Sequence, residues 1–405
     1  MNDIIKQLGL EINTIAVFRN ITSDSVVSRL ISLIEASPDD DMPEFLKRYS
    51  AFVCELYAHN ADLTEYLLKL VLEDENICIV RKGQGLDADR CISSAAENEL
   101  HILERLSQLT PQDLAEYSGY DGYLPQWRTH SADFSAEYSR RLENVTRFGY
   151  GKWTVSNMFI FRNGSIVPVK YPDKQRLSEL YGYERERSEV LENTLALING
   201  RPAQNVLLYG DAGTGKSSTV KAAVNELSER GLRLIEITKE QLRDIPQIID
   251  EISDNPLKFI IFIDDLSFTS GEDRFGALKA TLEGSVSSRA DNMAIYATSN
   301  RRHLVRESFA DREGDDIHRN DTMQETLSLS ARFGLRVNFS RPDKKSYVDI
   351  AAKLAQSKGI SMDENELALR AEQFAAASGN GRSPRTAKQF VNSLIQSNTS
   401  PKGEQ

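Results

Sequence analysis

The stretch NVLLYGDAGTGKSS, Asn205 to Ser218, joins an apolar run to a glycine-rich turn and then to a helical pattern. Within it Gly210, Asp211, Ala212, Gly213, Thr214, Gly215, Lys216 and Ser217 satisfy the spacing G-x-x-x-x-G-K-S/T. That spacing has a chemical reason. The glycines let the backbone curl so that successive N–H groups point inward at phosphate oxygens. The helix that begins inside the motif, with Ser218 in its first turn, presents its positive end to the same anion. Lys216 is placed to reach the β- and γ-phosphates as a point charge, and Ser217 to ligate Mg²⁺. A buried strand before the loop and an amphipathic helix after it predict an α/β fold around a nucleotide cradle.

Downstream, Lys258–Asp265 reads KFIIFIDD, an apolar run ending in two carboxylates. A buried strand ending there places Asp264 at the C-terminal edge of the sheet, where ligands of open α/β sheets bind. Asp264 is the expected outer ligand of Mg²⁺, and Asp265 the candidate to orient or deprotonate an attacking water. Strand-like runs at Val206–Tyr209, Leu232–Ile237, Phe259–Ile263, Met293–Ala297 and Leu335–Phe339, with helical segments between the first four, predict a parallel sheet covered on both faces. Val220, Ala223, Val224 and Leu227 recur at helical spacing before Gly231, and Thr238 with Gln241 resembles a capping box. From about Pro342 the pattern is helical again, with Tyr347, Ile350, Ala351 and Leu354, then Leu367–Ala377, then Arg385–Ile395.

Upstream, two apolar runs, Met158–Phe161 and Ile166–Val169, flank Asn163-Gly164, the dipeptide of a tight type I′ hairpin. The hairpin is expected to close the N-terminal part, and YPDKQRLSELYGYERERSEVLENTLALING to form a helical lead-in ending at Gly200. Residues 1 to about 145 read as helical: Ser25–Ala36, Glu44–Ala58, Leu63–Leu72 and Ala95–Leu106 carry the period, interrupted by a β-like piece at Ile77–Val80. His59, His101 and His130 are isolated.

These motifs together resemble the AAA+ ATPases over roughly Tyr171 to Ser397. NMAIYATSNRRHL is similar to the sensor 1 strand of that class, with Asn300 at its tip facing the γ-phosphate or the attacking water. LSLSARFGL resembles the segment carrying the arginine finger, which implies that Arg332 reaches into a neighbouring subunit's site. GRSPRTAKQF resembles the sensor 2 helix, with Arg385 the γ-phosphate contact and Arg382 the nearby rival. LYGYERERSEVLENT is similar to the lead-in near the adenine, around Tyr181, Gly182 and Tyr183. Asp264-Asp265-Leu266-Ser267-Phe268, LKATLEG, YATSNRRHL and SLSARFGL resemble more particularly the bacterial AAA+ family catalogued as domain of unknown function 815. The resemblance implies a three-layer P-loop sandwich with a parallel five-stranded sheet, a small helical C-terminal lid and a mostly helical N-terminal domain.

It further implies ATP and Mg²⁺ as cofactors, hydrolysis to ADP and phosphate, and a homo-oligomer that remodels or loads a protein partner. The alternative is a slow-hydrolysing nucleotide-dependent scaffold, with DNA as a possible ligand that is not favoured. Many ATPases of this type have Glu at the position of Asp265, and the shorter side chain bears on hydrolysis more than on binding. ITKEQLRDIPQIID has no aromatic-hydrophobic-Gly loop of the kind that grips a threaded chain. The Arg301–Arg302–His303 cluster is read as a solvated loop rather than a nucleic-acid contact.

Composition sets the outer bounds. The 405 residues exceed one ordinary domain. A net charge of −11 disfavours non-specific binding to nucleic acid or to anionic membranes. Cys54, Cys78 and Cys91 lack metal-ligand spacing and read as reduced thiols. The opening MNDIIKQLGLEINTIAVF does not resemble a signal peptide, and no run reaches the roughly 18–20 apolar residues of a membrane span. The expected place is the cytoplasm, without a membrane partner. The expected divisions are 1–150, the hairpin and linker at 151–170, the nucleotide core at 171–341, the lid at 342–397 and a disordered tail at 398–405.

Overall fold

The structure is a computed structural model, and it describes residues 2–36, 41–266, 268–269, 278, 282, 291–300, 305–306 and 331–399. Ser267, most of LKATLEG, the Arg301–Arg302–His303 cluster with Leu304, the first three residues of SLSARFGL and the last six of the tail lie outside the described residues. The chain divides into two compact units, Met1–Val155 and Ser156–Gln405.

The first unit is built from α1 (Asn2–Ile12), α2 (Ser25–Ile34), α3 (Met42–His59), α4 (Leu63–Glu73), α5 (Ile77–Gly83), α6 (Arg90–Ser107), α7 (Pro111–Ser118), α8 (Phe134–Glu143) and the short α9 (Val145–Phe148). Helices α2 to α8 start at Asp24, Asp41, Asp62, Asn76, Asp89, Thr110 and Asp133, whose side chains accept N–H groups of the first turn. Each such cap is worth about 1 kcal/mol. One of them overturns the β-like reading of Ile77–Val80: Asn76 accepts from the N–H groups of Cys78 and Ile79, and the β-branched run folds as α5. Packing of buried Ile79 against Val145 and Tyr150 outweighs its β propensity. The core centres on aromatic rings. Trp127 stacks edge-on to Phe52 at 5.1 Å and donates its indole N–H to the Leu109 carbonyl at 2.9 Å. Buried Glu99, on α6, accepts the N–H groups of Ala16, Val17 and Phe18, holding the segment after α1 against that helix. His130 lies 3.2 Å from the carboxylate of Asp62, the cap of α4.

The second unit carries β1 (Met158–Arg162), β2 (Ser165–Pro168), α10 (Glu184–Ile198), β3 (Val206–Gly210), α11 (Lys216–Leu227), β4 (Leu232–Ile237), α12 (Ile245–Ile252), β5 (Lys258–Ile263), β6 (Met293–Ser299), β7 (Leu335–Phe339), α13 (Lys344–Ser357), α14 (Glu364–Ala377) and α15 (Pro384–Thr399). Among the described residues the sheet has seven strands, not the five expected, in the order β2-β1-β4-β5-β6-β3-β7. All neighbours are parallel except the β1–β2 hairpin. The two additional strands come from that hairpin. It does not close the N-terminal part but pairs β1 with β4, Met158 opposite Leu234 and Ile160 opposite Glu236. Asn163 (φ 51°) and Gly164 (φ 75°) take the left-handed conformations that the two-residue turn needs.

β5 is buried on both faces, as a strand between two helical layers must be, and each fully buried Ile or Phe there contributes about 1.5–3 kcal/mol. Val220 and Val224 of α11 pack beneath the sheet with Leu208, Ile260, Phe262 and Tyr296. Thr238 donates its N–H to nothing in the ladder but to Gln241 Oε1 at 3.0 Å, opening a 3₁₀ segment, Lys239–Asp244, ahead of α12. The last three helices pack on one another through Tyr347, Ala351, Ala371, Ala387 and Phe390. No helix among the described residues is long and apolar enough to cross a membrane.

Candidate nucleotide site

The site forms where β3 ends. At Gly210 the chain turns with φ 130°, and an added Cβ would sit 2.3 Å from the Phe339 carbonyl oxygen on β7. Only glycine fits that approach. Gly213 (φ 79°) faces the start of α15, where an added Cβ would meet Arg385 Cβ at 3.1 Å and Ser383 Oγ at 3.2 Å. Gly215 (φ 95°) is the N-cap of α11. The glycine spacing read from the sequence thus matches one close approach to a backbone carbonyl, one to side-chain atoms at the start of α15, and one helix start.

Lys216 is buried, and its Nζ donates to the carbonyl oxygens of Gly210 (3.0 Å) and Asp211 (2.7 Å) and to Asn300 Oδ1 (3.0 Å). Burial pushes its ammonium below the usual lysine range, against the pull of Asp211, Asp265 and Asp264, with Arg385 adding to the depression. Thr214 Oγ1 donates to the same Asp211 carbonyl at 2.9 Å.

The acidic strand end meets the loop directly. Ser217 Oγ donates to Asp264 Oδ1 at 2.6 Å. Thr298, on β6, donates to that same oxygen at 2.5 Å and accepts the Asp265 N–H at 2.9 Å. The Asp265 N–H is also 3.1 Å from Asp264 Oδ1, and Asn300 Nδ2 donates to Asp265 Oδ1 at 2.7 Å. Asp265 stands at φ 53°, a left-handed conformation that costs a non-glycine residue about 1–2 kcal/mol. Such strain at a ligand site persists only where neighbours hold it.

A cavity of about 550 Å³ opens above these groups. Ala212 to Thr219, Asp264, Asp265, Thr298 and Asn300 line it, together with Leu180, Tyr181, Tyr183, Arg187, Ile350 and Leu354. Its size suits a nucleotide-sized ligand. Gly182 does not line it: an added Cβ there would fall 2.7 Å from Ile350 Cδ1. Tyr183 stacks on Phe339 at 5.2 Å and donates its hydroxyl to the Ser340 carbonyl at 2.6 Å, and burial pushes that phenol above its usual range. Burial likewise lowers Arg187, whose guanidinium contacts the Gly182 carbonyl.

Arg385 lines the cavity, with its N–H donated to the Gly213 carbonyl at 3.2 Å. Arg382 does not. It forks onto Glu372 through Nε at 2.8 Å and Nη2 at 2.7 Å. Arg332 stands apart from the other candidates. β3 and β7 run parallel with Val206 opposite Leu335 and Gly210 opposite Phe339, so the loop lies at one end of β7 and Arg332 precedes the other. Four strand rises alone separate those ends by roughly 13 Å.

Sequence reasoning missed Thr298 and Lys388. Thr298 sits two residues before Asn300, on the strand whose tip was singled out. Lys388 follows Arg385 by three residues on α15 and lines the same cavity, which the helical spacing could have signalled.

The residues fit a magnesium nucleotide: a cradle where side chains would collide, a buried cation, and a hydroxyl and carboxylate 2.6 Å apart in the donor set of an oxygen-ligated divalent ion. Fold and site define a P-loop protein of the AAA+ class. The chain belongs to the family described as Protein of unknown function (DUF815), which matches residues 154–398.

Among curated proteins it is similar to a 26S proteasome regulatory subunit 4 homolog of Dictyostelium discoideum, 24% identical over 230 residues, 49% of this chain and 48% of that one. It is also similar to an ATP-dependent zinc metalloprotease FtsH of Malacoplasma penetrans, 25% identical over 223 residues, covering 49% of this chain and 25% of that protein. The chain therefore spans about half the length, or less, of these curated relatives. Among solved structures it is similar to the Thermotoga maritima RuvB Holliday junction branch migration motor, at 16% identity and a TM-score of 0.38 over 55% of this chain and 64% of that one.

Proposed function

We propose that the chain binds ATP with Mg²⁺ at Gly210–Ser218 and hydrolyses it to ADP and phosphate. The observation that carries this reading is the 2.6 Å bond from Ser217 Oγ to Asp264 Oδ1, which brings the phosphate loop and the acidic strand end into one donor set. Mg²⁺, when bound, neutralises charge on the β- and γ-oxygens. Lys216 exchanges its carbonyl and Asn300 contacts for phosphate oxygens. Asp265, steadied by Asn300 and Thr298, aligns the attacking water, and Arg385 contacts the γ-phosphate from α15. Tyr181 and Tyr183, which line the same cavity, contact the base. Adenine is supported by the relatives, one of which is named for its ATP dependence.

Arg332, at the far end of β7, serves a neighbouring copy, so the active form is a homo-oligomer. An arginine supplied in trans contributes on the order of 10³–10⁵ in rate in GTPases with their activators, so an isolated copy hydrolyses slowly. The oligomer couples loss of the γ-phosphate to a shape change that remodels or loads a protein partner in the cytoplasm. Threading is not favoured: Gln241, in the segment after β4, donates its Nε2 to the Phe161 carbonyl at 2.8 Å, bracing that segment against the hairpin.

A second reading, a slow-hydrolysing scaffold that could include DNA among its partners, is supported by Asp265 standing where many such ATPases have the longer Glu. Phosphate release from ATP across a wide range of protein concentration, with Lys216→Ala as control, separates the two. Specific activity rising with concentration and lost in Lys216→Ala supports the assembling ATPase. A flat, near-zero rate with tight ATP binding sinks it in favour of the scaffold.

A further inference from the structure

Asp211 occupies the first variable position of the phosphate loop, and its side chain does not face the cavity. Its carboxylate accepts the backbone N–H of Arg341 at 3.0 Å through Oδ2, and Arg341 Nε lies 3.4 Å from Oδ1. Arg341 belongs to the four-residue passage, Ser340 to Asp343, from β7 to α13. That passage is held on its other side by Tyr183, through its hydroxyl on the Ser340 carbonyl and its ring on Phe339. Arg341 Nη1 in turn lies against Gly381, 3.1 Å from where a Cβ would stand, in the loop that leads into α15. The same loop delivers Arg385, whose N–H reaches the Gly213 carbonyl. Both entrances to the three-helix lid are therefore tied to the phosphate loop, one at Asp211 and one at Gly213.

The backbone of Asp211 is engaged as well. Its carbonyl accepts Lys216 Nζ and Thr214 Oγ1, and its N–H is donated to the Phe339 carbonyl at 3.1 Å. A lysine that leaves this carbonyl for a phosphate removes one of the three bonds on the 211 peptide, and any shift of that peptide carries with it the carboxylate holding Arg341. The ion pair is about half exposed on both sides, so it is too weak to serve as a staple and can break and re-form. We propose that Asp211 and Arg341 are positioning residues that form a clasp through which the phosphate loop sets the lid, making nucleotide occupancy and lid order one equilibrium. This rests on the nucleotide reading for its ligand, while the clasp itself stands on the geometry.

The test is a double-mutant cycle of Asp211→Asn, Arg341→Gln and the double variant in the full chain, read by hydrogen exchange of residues 344–399 without nucleotide and with saturating ATPγS. Affinity is measured separately with a fluorescent mant-ATP probe. In the unaltered protein ATPγS is expected to slow lid exchange by about tenfold, within the usual span of coupling between sites. By the reciprocity of coupling, Arg341→Gln should weaken mant-ATP binding by no more than about that tenfold and lose most of the slowing. Asp211→Asn, itself in the loop, should lose the slowing at saturating ATPγS whatever its own affinity, and the double variant should be no worse than either single. Arg341→Lys, which keeps the charge, should recover part of it. Additive losses, or full slowing in both singles, would overturn the clasp. If the parent binds no mant-ATP, the nucleotide reading fails, and the cycle without nucleotide still decides: equal, non-additive rises in lid exchange uphold the clasp, and none refutes it.

Discussion

Replacing Thr298 with valine removes one hydroxyl and almost no volume, which isolates its bonding role. That hydroxyl donates to Asp264 Oδ1 at 2.5 Å and accepts the Asp265 N–H at 2.9 Å from a position only 2% exposed. Loss of a buried hydrogen bond to a charged group costs about 1.5–3 kcal/mol, so melting should fall by several degrees. The larger effect is expected on turnover. Asp265 is kept at φ 53° by two N–H contacts, and the valine leaves only the longer one, 3.1 Å, to Asp264. A carboxylate free to relax out of a conformation costing about 1–2 kcal/mol will move its oxygens by a sizeable fraction of an ångström, and misplacement on the order of 1 Å can cost about 10² in rate. Mant-ATP affinity should change little, because Lys216 and the loop backbone keep their contacts, whereas the magnesium concentration for half-maximal turnover should rise with the loosening of Asp264. Steady-state phosphate release, magnesium titration and thermal melting read the three quantities, and Thr298→Ser should restore all of them. A Thr298→Val protein with parental turnover and an unchanged magnesium requirement would refute the reasoning.

Mixing Arg332→Ala with Asp265→Asn, each inactive alone, should regenerate phosphate release; no recovery at any ratio would remove the support for an arginine acting between copies. Gly210→Ala forces a Cβ to 2.3 Å from the Phe339 carbonyl oxygen and should cost more than about 2 kcal/mol in denaturant unfolding, with mant-ATP binding lost; parental stability would contradict the close approach of β3 and β7. Lys258 is held below its usual pKa of 10.5 chiefly by burial, so the unfolded chain binds more protons there than the folded one and its penalty is present at neutral pH, easing as pH rises toward 10.5. Lys258→Met should therefore raise the denaturant midpoint at pH 7 and lose that advantage near pH 10; an advantage that grows with pH would reverse the sign.

What the sequence disclosed and what it hid follow from where each constraint acts. The phosphate loop was legible because its chemistry is local: three glycines, a lysine and a serine within eight residues carry both the turn and the ligands. The strand ends at Asp264 and Asn300 were legible because a buried strand announces its own direction. The hairpin's place was not. Asn163-Gly164 fixes the turn, but nothing near it says that Met158 will lie beside Leu234, a pairing settled by which sheet edge needs covering. Thr298 was hidden for the same reason, since its role comes from lying next to Asp264 across two strands. Arg385 was read as the phosphate contact with Arg382 as its rival, and what sets the rival aside, the fork onto Glu372 ten residues upstream of it, is a contact between elements that no local pattern shows.

The hairpin has a consequence for growth of the molecule rather than for its chemistry. By filling the position beyond β4 it leaves β2 as the outermost strand, with only four residues, the last of them Pro168, which has no N–H to offer. A further strand laid along that border would find little to bond. Sheet-to-sheet continuation from copy to copy is therefore disfavoured on that side. Head-to-tail extension that joins the β2 border of one copy to the β7 border of the next is thereby disfavoured, and with it growth as a continuous sheet.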